Sequence, residues 1–294
     1  MYEAWVLPIV VGFDGSPDSV RALDWALAEA GLRGAPITLC HIWHRSHPAR
    51  DAGGGDVVDA PQNAAQLVLA EGRRHAAQRA PAVHVRAELI PGRPAELLVE
   101  VARTAALLVV GARGAGGARD ALLGSVSAHL ARHADCPVVM VRDAMADADT
   151  RAQDRRIVVG VDASADCETA VAFAFEQAAR HGVAVYAVHA FDEAAVQTVA
   201  YLPEAELLTL RQAAEDSFGT LLLAQAGKYP DLEVSFRLIQ GGPVPALVEA
   251  SVGADLLVLG SHDHGRFATA MRGSTIHSLL HHAACPVAVV RGDR

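Results

Sequence analysis

The chain contains itself twice. Val11-Gly12-Phe13-Asp14-Gly15-Ser16 returns as Val159-Gly160-Val161-Asp162-Ala163-Ser164, 148 positions on, and His41 returns as His189 at the same spacing. Gly92-Arg93-Pro94 returns as Gly241-Gly242-Pro243, and Gly111, Gly124 and Cys136-Pro137 return as Gly260, Gly273 and Cys285-Pro286, all at 149. One net insertion therefore separates two copies of a single unit. The 294 residues match two domains of about 150 residues each. Residues 143–155 are polar, alanine-rich and without period, which reads as a linker. The expected domains are thus 1–142 and 156–294, and an apolar fraction of 51% is ample for two cores.

Within each copy, strand and helix patterns alternate. In the first, strands are expected at Leu7 to Phe13, Ile37 to Ile42, Val83 to Ile90, Leu107 to Val110 and Pro137 to Val141. Val20, Leu23, Leu27 and Ala30 recur at helical spacing behind Ser16, an N-cap, and Pro17, with Gly31 and Gly34 as stop signals. Further helices are expected at Gln62 to Arg79, around Leu97, Leu98 and Val101, and from Gly124 to Ala134; residues 43–60 read as a loop. Alternation of this kind implies a parallel sheet with helices on both faces. Leu107 to Val110, Ile157 to Val161 and Pro286 to Val290 are apolar at nearly every position, as strands buried on both faces require.

The chemistry concentrates after the fourth strand. Gly111-Ala112-Arg113-Gly114 follows an apolar run and leads, nine residues later, to Gly124-Ser125 at a helix start. Glycines let the backbone approach an anion, helix N–H groups point at it, and a serine adds a hydroxyl donor. If strands one and four are neighbours where the winding reverses, Asp14 and Gly111 face each other across one crevice. Asp14 can alternatively cap the following helix.

These residues resemble the universal stress protein family in its tandem two-domain form, over nearly the whole chain. The family pattern G-x2-G-x9-G-S stands here as Gly111, Gly114, Gly124 and Ser125, with Asp14 as the aspartate after strand one. The resemblance implies two Rossmann-like α/β domains, each a doubly wound five-stranded parallel sheet of order 3-2-1-4-5. It implies ATP, with Mg²⁺ as a candidate companion ion, held by the glycine loop. By position the loop contributes Gly111, Ala112, Arg113, Gly114, Gly116 and Gly117, and the helix start contributes Gly124, Ser125 and Val126. The adenosine end falls near Gly12, Asp14 and the segment His41-Ile42. In the second half the corresponding residues are Gly160, Asp162, Gly260, Ser261, Gly265, Arg266, Gly273, Ser274 and Thr275. There the second glycine of the pattern is Asp263. A carboxylate facing a polyanion at ~4 Å costs on the order of 1–4 kcal/mol per unit charge, although Mg²⁺ would reverse that sign. Members of the family pair through strand five, so pairing between the two halves, and a homodimer, are expected of this chain.

Other chemistries are disfavoured. A formal net charge of −9 argues against a nucleic-acid groove. No apolar run reaches the ~20 residues of a membrane helix, and the start Met1-Tyr2-Glu3-Ala4 lacks a basic leader, which leaves the cytoplasm as the expected location. Cys40, Cys136, Cys167 and Cys285 form no CxxC pair and read as buried thiols. His277 and His281 have metal-ligand spacing without an evident third ligand, as have His262 and His264 around Asp263, so no metal site is assigned. No Walker lysine follows either glycine loop and no nucleophile–base arrangement is evident, so no catalytic residue is assigned. The expectation is an ATP-binding stress-response regulator acting on a protein partner the sequence does not name. The alternatives are an ATP-independent interaction module and a slow ATP-hydrolysing or adenylating enzyme.

Overall fold

In the computed structural model the described residues are 6–43, 60–115, 123–142, 155–162, 164, 166–193, 196–197, 201–261 and 272–292, with side chains omitted for 60 and 272–274. The chain divides into two compact units, Met1–Asp143 and Ala144–Arg294. The first contains β1 (Ile9–Gly12), α1 (Pro17–Arg33), β2 (Ile37–Trp43), α2 (Ala60–Arg79), β3 (Val85–Pro91), α3 (Pro94–Ala102), β4 (Leu107–Gly111), α4 (Ser125–His133) and β5 (Val138–Val141). The second contains β6 (Arg156–Gly160), α5 (Cys167–His181), β7 (Ala184–Phe191), α6 (Glu204–Ala226), β8 (Val234–Gln240), α7 (Pro243–Ala250), β9 (Leu256–Gly260), α8 (Arg272–His282) and β10 (Val287–Val290).

Strand order in the first unit is β3-β2-β1-β4-β5, and in the second β8-β7-β6-β9-β10, every pairing within a unit being parallel. This is the doubly wound 3-2-1-4-5 sheet the resemblance implied. In the first unit α1 and α2 pack on each other, as do α3 and α4. The central strands consequently have both faces covered: Ile9, Val10 and Val11, and Leu107, Leu108 and Val109, are all but inaccessible to solvent. Register places Gly12 opposite Cys40 on one side and Val110 on the other. A Cβ at Gly12 would lie 2.9 Å from Val110 Cγ1 and 3.2 Å from Leu98 Cδ1, so glycine is what lets α3 close over the end of β1.

Local sequence sets the helix ends. Ser16 caps α1, its hydroxyl oxygen accepting the Ser19 N–H at 3.2 Å, with Pro17 at the first helical position. Gly34 ends α1 at φ 62° and Gly182, 148 positions on, ends α5 at φ 63°, the left-handed conformation glycine adopts without penalty. Gly31 does not stop the helix as the sequence suggested. It lies inside α1, exposed, and a Cβ there would meet nothing within 4 Å. One glycine cannot outweigh the burial of Leu23, Ala26, Leu27 and Ala30 on the inner face. Gly31→Ala is therefore expected to stabilise the first unit by about 0.4–1 kcal/mol, mainly by restricting the unfolded chain, with urea unfolding as the measurement.

The remaining boundaries differ from expectation by one or two residues at fraying ends. The loop expected at 43–60 and most of the linker at 143–155 fall on residues outside the described set, apart from the ends of flanking elements. All four cysteines are buried and none forms a disulfide. Burial pushes the thiols of Cys40 and Cys136 up to about 12 and that of Cys167 up to about 11, which leaves them protonated and inert at neutral pH. Among the described residues no helix is long and apolar enough to cross a membrane.

Candidate functional site

In the first unit β1 lies between β2 and β4. The winding reverses there, and the chain leaving β1 and the chain leaving β4 emerge side by side, which is where such sheets bind ligands. A cavity of about 130 Å³ opens between them. Of the residues named from the sequence, Gly12, Asp14, Ile42, Gly111, Arg113, Gly114 and Val126 line it, and so does His41. Gly124 caps α4 and Ser125 is its first residue, on the outer side. Ala112 is buried behind the loop, its N–H donating to the Val141 carbonyl at 2.8 Å and its carbonyl accepting the Gly124 N–H at 2.8 Å. Gly116 and Gly117 lie outside the described residues.

Asp14 does not cap α1; Ser16 has that place. Asp14 instead spans the crevice. Its Oδ1 accepts the Ser16 N–H at 3.0 Å, and its Oδ2 accepts the Ala115 N–H of the glycine loop at 2.7 Å. Burial alone pushes this carboxyl up, but the hydrogen bonds from Ser16, Ala115 and Ser19 together outweigh it and hold it below its ordinary value. Asp14 is thus a charged carboxylate at neutral pH, and the Ala115 N–H of the loop already faces an anion.

A second carboxylate, which sequence reasoning did not single out, organises the loop's base. Asp18, in the first turn of α1 and 3% exposed, accepts the Arg113 backbone N–H at 3.1 Å and the Arg113 Nε–H at 2.9 Å, and is also paired with Arg21. Burial pushes its carboxyl up as well, and Arg113 and then Arg21, by hydrogen bond and charge, bring it below the ordinary value. Arg113 is therefore a clamp between α1 and the loop. Gly111 has a related reason: a Cβ there would lie 2.7 Å from the Asp18 carbonyl carbon and 2.9 Å from the Ser19 nitrogen. Glycine at 111 admits the α1 backbone. At Gly114 a Cβ would lie 2.7 Å from Asp14 Oδ2, so that glycine leaves room for the site itself. Ser127, also unremarked in the sequence, is buried, lines the cavity and donates its hydroxyl to the Gly111 carbonyl at 2.8 Å.

His41 closes the side toward β2. Its Nδ1 stands 2.6 Å from the Phe13 carbonyl, and because a carbonyl only accepts, Nδ1 carries the proton. His189 repeats this against the Val161 carbonyl at 2.8 Å. The second unit has its own cavity of about 360 Å³, with Gly160, Asp162, Gly260 and Thr275 in its lining. Ser261, like Ala112, is buried behind it, its N–H on the Val290 carbonyl at 2.7 Å. Gly273 and Ser274 are in the first turn of α8. Gly265, Arg266, Asp263, His262 and His264 lie outside the described residues. His277 and His281 approach with Nε2 atoms 2.9 Å apart, but no group of three or more metal-ligating side chains exists among the described residues.

The universal stress protein family model matches residues 7–142 and again 154–291. The chain is 33% identical to Universal stress protein Rv2005c of Mycobacterium tuberculosis over 299 aligned positions, covering 96% of each chain. It is 31% identical to Universal stress protein Rv2623 of the same organism, covering 97% of this chain and 96% of that one. The crystal structure of a universal stress protein from Archaeoglobus fulgidus superposes with a TM-score of 0.67 at 18% identity, covering 97% and 98%, a likeness of fold.

Proposed function

The chain belongs to the universal stress protein family, and from that premise we propose that it is an ATP-binding stress-response regulator whose first-half crevice holds the nucleotide. One observation carries the reading. The glycine loop donates its Ala115 N–H to a carboxylate across the crevice, so that donor is oriented toward negative charge before any ligand arrives. A phosphate oxygen would take over that donor, and the adenosine end would lie toward His41 and Ile42. The cavity of about 130 Å³ is smaller than the ~300–1,000 Å³ typical of small-molecule sites. Binding is therefore coupled to release of the Asp14–Ala115 bond, and ligand occupancy and loop position become one equilibrium. At ~100 times its dissociation constant a ligand stabilises the bound form by about 2.7 kcal/mol.

Among its described residues the chain supplies little for phosphoryl transfer. Its single lysine, Lys228, sits in the turn after α6. Arg113 is committed to Asp18, and Asp14 is held below its ordinary pKa, a poor general base. Bound ATP thus acts as a ligand that biases a conformation, with slow turnover or none. A rival reading, an interaction module without nucleotide, draws on the same bond, since a loop whose donors are satisfied internally needs no ligand to be folded.

Mass and stoichiometry of the nucleotide released on denaturing the purified chain separate the two. The expected result is adenine nucleotide at about one per chain, or uptake of one ATP by a chain purified empty. No nucleotide, even after incubation with millimolar ATP, overturns the reading. Turnover of several per second that disappears in Asp14→Ala would make the protein an enzyme instead.

A further inference from the structure

Outside the two crevices, the last turns of α8 bring two imidazoles together. His277 and His281 are four residues apart, which puts them on one face of the helix. His277 is exposed and His281 half-buried. Their Nε2 atoms are 2.9 Å apart and their ring centres 4.3 Å apart, with the ring planes at 72°. Two nitrogens each ~2.0–2.1 Å from one metal ion and at right angles about it are ~2.9 Å apart, against ~3.3 Å in a tetrahedral pair. The ring centres discriminate further. A head-on N–H···N hydrogen bond of this length holds two imidazole centres ~5.2 Å apart, whereas lone pairs that meet at a right angle on a metal hold them ~4.5 Å apart. The separation of 4.3 Å matches the converging arrangement.

The first half supplies a contrast at the same spacing. His129 and His133, on α4, have ring centres 4.1 Å apart but planes only 19° from parallel, a face-to-face stack. Imidazole lone pairs lie in the ring plane, and two stacked planes share no point at which one ion could take both. His133 also holds its Nδ1 2.8 Å from the His129 carbonyl. Spacing, which both helices have, therefore does not make a chelate; convergence of the nitrogens does. Position adds to it, because His281 is in the last turn of α8, where the helix dipole favours a cation.

We propose that His277 and His281 chelate one divalent transition-metal ion of tetragonal habit, Cu²⁺ or Ni²⁺, through their Nε2 atoms. The two imidazoles take two positions at a right angle, and the others are open to water. The result is a clip across one turn of helix and not a closed structural centre. Ile276 and Leu279 line the second-half cavity but neither histidine does, so metal and nucleotide binding are separately measurable.

Titration of the untagged, metal-stripped full chain with Cu²⁺, in excess glycine to mask weaker sites, tests it by electron paramagnetic resonance. The expected result is one Cu²⁺ per chain, with a tetragonal spectrum and couplings from two imidazole nitrogens. His277→Ala removes an exposed ligand and favours the helix, so the fold is kept. It should weaken that binding at least about tenfold and abolish the two-nitrogen coupling. His281→Ala should do the same, and His129→Ala should change neither. Cu²⁺ uptake that His277→Ala leaves unaltered, or that His129→Ala reduces as much, overturns the proposal. So does a chain that takes up no Cu²⁺ under these conditions.

Discussion

Replacing Asp18 by alanine is expected to cost the first unit about 3 kcal/mol, near the low end of the ~3–5 kcal/mol lost when a buried ion pair is broken. The carboxylate is almost inaccessible and serves three donors: the Arg113 N–H, the Arg113 guanidinium and Arg21. Removing it leaves the backbone N–H without its carboxylate acceptor and a void at the α1–loop joint. The low end applies because the Arg113 side chain is 45% exposed and can turn to water. Asp18→Asn retains an acceptor and should cost less. The pH dependence has a definite sign. Because the folded carboxyl lies below its ordinary value, its contribution is complete above the unfolded pKa, ~3.9 for an aspartate, and is lost as pH falls through the folded one. Urea midpoints should fall with acid in the native chain and fall less in Asp18→Asn, with Asp14, which shifts the same way, supplying a remainder. A loss below ~1 kcal/mol for Asp18→Ala at neutral pH would mean that the clamp is screened by solvent and does not organise the loop.

That joint also marks where the sequence stops being informative. The repeat and the alternation of strand and helix are legible because periodicity acts on short stretches; the strand order comes from the family resemblance, and with β1 beside β4 the meeting of Asp14 with the glycine loop follows from where such sheets reverse their winding. What spacing does not disclose is why each glycine is there. Gly111 and Gly114 look alike in a pattern, yet the first faces the α1 backbone and the second the tip of Asp14. Asp18 looks like an ordinary acid in a helix first turn, where it also suits the dipole. Its partner Arg113 is 95 residues away, and only the fold brings them together. Gly31 fails as a stop signal for the converse reason: the buried face of α1 overrides a local preference worth about 1 kcal/mol.

The difference between the two glycines yields the second large effect. Gly114→Val is expected to lower nucleotide retention by the first half at least about tenfold, which is ~1.4 kcal/mol of binding, while leaving the fold nearly intact. The added Cβ would sit 2.7 Å from Asp14 Oδ2, the mobile end of a side chain, so the fold can yield by turning that carboxylate aside. The crevice cannot yield as cheaply. The valine methyls occupy the space between the loop and Asp14, the Ala115 N–H loses its orientation, and phosphate oxygens can no longer reach the loop backbone. A structural role for this glycine predicts the opposite pattern, a lowered urea midpoint with nucleotide binding intact in whatever remains folded. Both quantities come from one preparation: nucleotide released on denaturation, and the unfolding midpoint of the same variant after exhaustive removal of ligand. Loss of nucleotide with the ligand-free midpoint within ~1 kcal/mol of the parent assigns Gly114 to the site. Unchanged nucleotide content would remove the glycine loop from the account of what this chain binds.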